Sequence, residues 1–278
     1  MSRLFGCFAY ATGPIGPLLR LADERCRIPA SENRHGYGMG YAQSGDVLLQ
    51  RRPQVRNQAI DLGQATADIR TNAFVAHVRR AEVGALKFEN TQPFRFGPWM
   101  YAQVGTLPGS EAVFDRIRTQ LPDSVARNLA GETDAELFFH LFLSRLHDAG
   151  ISPRLWSVET EPVARTLGST FTAWHLMCEP ADREAPLRVA AVLTNGQSFF
   201  AVRQGLPLQL LTVKPTPREF VPQPVSFTGN GGDVALGVPC AALVIDGTEP
   251  LAGAVELPEN TVLSLDRDFR LSWSPAQR

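Results

Sequence analysis

Apolar positions come in short runs over the first third of the chain. RLFGCFAY (3–10) alternates loosely and predicts a strand at the very start. HGYGMGYAQSGDVLLQRR (35–52) has a Gly-rich entry and two strand-like runs broken at Ser44-Gly45-Asp46, a hairpin signal. NAFVAHVRR (72–80) is β-branched and aromatic and predicts a buried strand ending at His77–Arg80. GPWMYAQVG (97–105) predicts another, closed by Gly105.

The period then changes. In SEAVFDRIRTQL, Val113, Phe114, Ile117 and Leu121 recur at helical spacing and Pro122 stops the run. GETDAELFFHLFLSRL is the strongest helix. Thr133 followed by Glu136 makes a capping-box pattern, and the run from Leu137 to Leu146 leaves little polar face. That helix should be buried on more than one side. VARTLGSTFTAWHLMCE predicts a third helix, with Gly168 its weak point. The last third returns to strands. LRVAAVLTNGQSFFAVR is a hairpin about Asn195-Gly196, and LQLLTV, VSFTG, AALVID and TVLSLD are further strands. Pro-rich VKPTPREFVPQP reads as a loop or chain crossing. Strands, helices, then strands predict two sheets with helices packed outside, in a single domain over 1–278.

Composition narrows the function classes. The chain is 44% hydrophobic and 20% charged with a formal net charge of −1, so it has neither a basic stripe nor an acidic tail. Nucleic acid is not expected as a partner. No apolar run approaches the roughly 18 residues of a membrane span, and no signal peptide shows, so no membrane partner and a cytoplasmic location are expected. Cys7, Cys26, Cys178 and Cys240 form no CxxC pair and match no zinc spacing. They read as reduced and buried, with Cys7 part of the core. Gly36, Gly38 and Gly40 read as a structural turn, since no helix pattern or Lys-Ser/Thr pair follows to make a nucleotide loop.

Candidate chemistry lies at the start. If the initiator Met is removed, Ser2 carries a free α-amine at the end of a buried strand, a nucleophile with its own base attached. Four segments in order, Met1–Gly6, HGYGMGYA, AHVRRAEVGALKFENTQPFRFGPWMYAQVG and GETDAELFFHLFLSRL, resemble the class II glutamine amidotransferases of the N-terminal-nucleophile hydrolases, in their stand-alone single-domain form. The resemblance is strongest over 2–150 and weaker beyond, where IDGTEPLAG is similar to a late segment of the same group. It implies an α+β fold, a four-layer αββα sandwich. It also implies attack on the side-chain amide of glutamine by the N-terminal residue. Arg79 then matches the clamp for the substrate carboxylate, Asp134 the partner of its ammonium, and Gly105 the backbone donor of the oxyanion hole. His77 and Asn90 match supporting positions, although a buried His on a strand also reads as a satisfied core residue. No metal, flavin or nucleotide cofactor is implied.

The departures fall on the chemical positions. Ser2, a weaker nucleophile than Cys, stands where the family has Cys. Val104 stands at the oxyanion Asn, Gln103 and Gln92 at two His positions, and Glu82 at a Thr beside the clamp, where a carboxylate can pair with Arg79 and repel a substrate carboxylate. A kept framework with altered chemistry predicts a protein of impaired or lost glutaminase activity. Its role is then binding or assembly, beside a partner such as a synthetase or an active paralogue. The alternatives are an active N-terminal-serine amidohydrolase for a γ-glutamyl or other amide, and a conventional glutaminase that supplies ammonia to a partner.

Overall fold

A computed structural model describes residues 2–30, 35–54, 58–80, 84–184, 186–216, 219–237 and 240–276. The first strand, β1 (Arg3–Pro14), is followed by α1 (Gly16–Leu19), a 3-10 segment (Arg20–Cys26) and β2 (Arg27–Ile28). Next come β3 (Tyr37–Gln43), β4 (Asp46–Arg52), β5 (Ile60–Asp61), α2 (Leu62–Ala65), β6 (Arg70–Val78), β7 (Phe94–Phe96) and β8 (Trp99–Val104). The helical middle holds α3 (Glu111–Gln120), α4 (Asp123–Ala126), α5 (Asp134–Asp148), α6 (Thr160–Met177) and α7 (Pro180–Arg183). Strands resume with β9 (Val189–Thr194), β10 (Phe199–Gln204), β11 (Leu208–Pro215), β12 (Phe220–Pro222), β13 (Gly232–Ala235) and β14 (Ala241–Asp246). The last are β15 (Val255–Glu256), β16 (Thr261–Leu265) and β17 (Arg270–Pro275).

One large sheet runs β12-β11-β14-β1-β6-β3-β4 with β15 beside β11, a second runs β13-β17-β16-β10-β9-β8-β7, and β2 pairs with β5 in a small third. Period-two alternation assigns the faces. On β1, Leu4 and Phe8 lie between the sheets with Val75, Ala102, Val192, Phe199 and Val244. Phe5 and Cys7 face the other way and pack with Leu18, Leu19 and Leu62 of α1 and α2. On the second sheet, Trp99, Tyr101, Leu193 and Phe200 turn outward against Phe138, Phe142, Phe171 and Trp174 of α5 and α6. The order is helices, sheet, sheet, helices, the four-layer sandwich. Burying one such aromatic side chain is worth about 1.5–3 kcal/mol. The rings also interlock: Tyr101 stacks on Phe139 with centroids 5.5 Å apart. Gly6 sits on the inner face of β1 because a Cβ there would meet Phe199 Cζ and Val192 Cγ1 at 2.8 Å.

Most elements fall where the periodicity puts them. The β3–β4 turn has positive φ at Ser44 and Gly45 (53° and 78°), the signature of a two-residue hairpin turn. All four cysteines are buried and none forms a disulfide. Several details differ. VSFTG (225–229) is not a strand. The Pro-rich stretch is not a crossing: it holds the end of β11 and all of β12, paired from Val213↔Pro222 to Pro215↔Phe220 at the sheet edge, where a missing proline N–H is tolerated. The capping box is half formed. Thr133 Oγ1 accepts from Glu136 N, but the Glu136 carboxylate reaches past it to Ala130 N and Gly131 N. The helical pieces α1 and α2 are one turn each, too short to leave a periodic signal.

Candidate active site

The antiparallel register of β1 on β6, with Arg3 opposite Val78 and Leu4 opposite His77, brings the start of the chain to the end of β6. The end of β8, the start of α5 and the end of β14 meet them there. Together they line a cavity of about 550 Å³ that includes Ser2, Arg3, His77, Arg79, Asn90, Val104, Gly105, Asp134 and Asp246. The structure thus gathers into one cleft the described residues singled out from the sequence. Glu82 lies outside the described residues.

Ser2 Oγ accepts the Arg80 backbone N–H at 3.1 Å, which anchors it across the β1–β6 pair. Gly105 has φ +90°, and a Cβ would lie 1.9 Å from the Arg188 carbonyl, so only glycine makes the sharp exit from β8. Val104, just before it, puts its side chain between the sheets and brings no donor to the cleft.

Arg79 is buried, and its two terminal nitrogens donate to the carbonyls of Gly84 and Ala85 at 3.0 Å. Burial lowers its pKa while Glu132 pulls the other way. Asn90 latches the same loop: Nδ2 donates to Ala85 O and Glu132 Oε1, both at 3.0 Å, and Oδ1 accepts from Glu132 N at 2.9 Å. Asn90 therefore acts on the loop that holds Arg79. Asp134 opens α5, and its Oδ2 accepts from Leu107 N at 2.7 Å and Gln103 Nε2 at 3.4 Å. The carboxylate faces the cleft and also ties β8 and the segment after it to the helix. Gln103 in turn accepts from the buried Tyr101 hydroxyl at 2.5 Å.

His77 is buried as the sequence suggested, yet it is not a satisfied core residue. It lines the cleft, and its Nδ1 has no hydrogen-bond partner among the described residues. Burial, reinforced by Arg79, pulls its pKa down to about 3, so the ring is neutral.

Sequence reasoning missed Asp246. It is 8% exposed, lines the cleft and accepts the Leu4 backbone N–H at 2.7 Å. Burial pushes its pKa up to about 6, against the opposing pull of the Leu4 hydrogen bond and Arg3. The available signal was a lone carboxylate closing the apolar run AALVID. No helix among the described residues is long and apolar enough to cross a membrane.

Residues 1–217 match the model of the family described as glutamine amidotransferases class-II. An uncharacterised protein of Methanocaldococcus jannaschii is 28% identical over 136 residues, 47% of this chain and 35% of that one, so the match spans about a third of the relative's length. A glutamine aminotransferase class-II domain protein from Silicibacter pomeroyi superposes with a TM-score of 0.58 at 16% identity, covering 99% of this chain and 100% of its own. The glutamine phosphoribosylpyrophosphate amidotransferase of B. subtilis superposes with a TM-score of 0.56 at 13% identity over 99% of this chain and 49% of its own. At these identities the superpositions speak for the fold.

Proposed function

Because the chain belongs to the class II glutamine amidotransferases, we propose that its Ser2 cleft binds a glutamine-like amide while glutamine hydrolysis is impaired or lost. Its role is then binding or assembly beside a synthetase or an active paralogue. The observation that carries this reading is Val104: an apolar side chain packed between the sheets occupies the place where the family presents an oxyanion donor. Losing one such donor costs about 10²–10³ in rate. Ser2 adds to the loss, because a hydroxyl ionises less readily than a thiol. Arg79 and Asp134 line the same cleft, so a charged amino-acid end still has partners of both signs. Four buried cysteines outside any disulfide are in keeping with a reducing compartment, and the reading places the protein in the cytoplasm.

A second reading keeps Ser2 as an N-terminal nucleophile for a γ-glutamyl or other amide. The cleft volume of about 550 Å³ favours it, since clefts of roughly 300–1,000 Å³ hold ligands larger than a free amino acid. Glutamate release from glutamine decides on the main reading. It is measured on protein freed of Met1, beside a Ser2→Ala control. The expected result is no turnover above the control. Robust turnover that disappears in Ser2→Ala overturns it.

A further inference from the structure

We infer that His77 donates a hydrogen bond from Nδ1 to the side-chain carbonyl of the bound amide, a contact that holds the amide in the cleft without restoring the oxyanion donor that Val104 does not provide. The inference rests on the amide-binding reading of the cleft. Alternation along β6 puts His77 on the face of Ala73 and Val75, between the sheets. Val104 shares its face of β8 with Met100 and Ala102 and points into the same space from the other sheet. His77 and Val104 both line the cleft beside Ser2 and Gly105.

The state of the ring suits the task. Nδ1 is buried and has no hydrogen-bond partner among the described residues. Other buried side-chain atoms also lack a partner among the described residues, but of these only His77 Nδ1 and Arg3 Nε belong to residues that line the cleft, where a bound ligand can meet them. A neutral imidazole offers one N–H and adds no charge, as suits a donor to a carbonyl. Spacing agrees as well. His77 and Arg79 are two residues apart, about 6.7 Å along an extended chain. Four carbon–carbon bonds of about 1.5 Å each separate the two carboxyl-derived carbons of a glutamine-like ligand. A carboxylate on Arg79 and an amide carbonyl at His77 are therefore within reach of one extended molecule.

The test uses the full chain, L-glutamine and L-norvaline, which lacks the side-chain amide. The ¹⁵N signals of the His77 ring are followed during each titration, and affinities are measured for the wild type and His77→Phe. The inference predicts a protonated Nδ1 whose signal shifts with glutamine and not with norvaline. It also predicts about tenfold weaker glutamine binding in His77→Phe with norvaline binding unchanged. Glutamine that binds and leaves Nδ1 unmoved overturns the role of His77 alone. Glutamine that does not bind overturns the amide-binding reading, and this inference with it. The wild-type titration decides even if His77→Phe does not fold.

Discussion

The side-chain Oε1 of Gln92 accepts the backbone N–H of Gln103 at 2.6 Å. These are the two positions where the family resemblance has histidines, and here they are bonded to each other. The path continues from Gln103 Nε2 to Asp134 and from Asp134 to Leu107 N. Gln92 and Gln103 both line the cleft, and the Gln103 backbone joins them.

Removing the acceptor tests that connection. Gln92→Ala leaves the Gln103 N–H, in a residue 1% exposed, without this partner. A buried unsatisfied donor costs about 1–3 kcal/mol. Urea denaturation should show a loss of that size, and Gln92→Glu, which keeps an acceptor, should lose less.

The framework was legible in the sequence because it repeats a period. β6, β8, β9 and β10 are runs of apolar residues, and α5 keeps Leu and Phe at helical spacing. What escaped has no period. α1 and α2 are single turns, and β7 and β15 are held by their neighbours in the sheets. In the cleft, Ser2, Arg79, Gly105 and Asp134 were found through motifs. Asp246 was not, because its role depends on Leu4, a contact 242 residues away in sequence. That His77 Nδ1 is buried without a hydrogen-bond partner among the described residues depends likewise on what surrounds the ring in three dimensions.

Asp246 gives stability a pH dependence with a definite sign. Its folded pKa of about 6 lies above the unfolded value of about 3.9, so the folded state holds the proton more tightly. The stabilising contribution is full below about pH 4 and is lost as pH rises through about 6. Asp246→Asn should not show this loss. Between pH 4 and pH 7 the wild type should lose up to about 3 kcal/mol relative to the variant, read from urea midpoints at each pH. Parallel curves for the two proteins would refute it.

His77 works in the opposite direction over an overlapping window. Held neutral in the fold with a pKa of about 3, it takes up a proton on unfolding below about 6.5. Its contribution is present above about pH 6.5 and is lost as pH falls towards about 3. At pH 5 the loss should be about 2 kcal/mol, and His77→Gln should be free of it. Because the two buried groups oppose each other, the wild type alone can look flat between pH 4 and pH 6. The Asp246→Asn and His77→Gln curves should diverge there, one rising with pH and the other falling.

The claim that chemistry was removed from a retained framework has a constructive test. Val104 and Ser2 lie in one cleft with Gly105, on a turn that only glycine can make. If the missing donor limits hydrolysis, Ser2→Cys alone should release little glutamate. Adding Val104→Asn in that background should raise the rate by about 10²–10³. The gain must exceed what burying a new amide costs the fold, about 1–3 kcal/mol if it finds no partner, so stability is measured on the same samples. A double variant that folds and binds glutamine but turns over no faster than Ser2→Cys would remove Val104 as the cause.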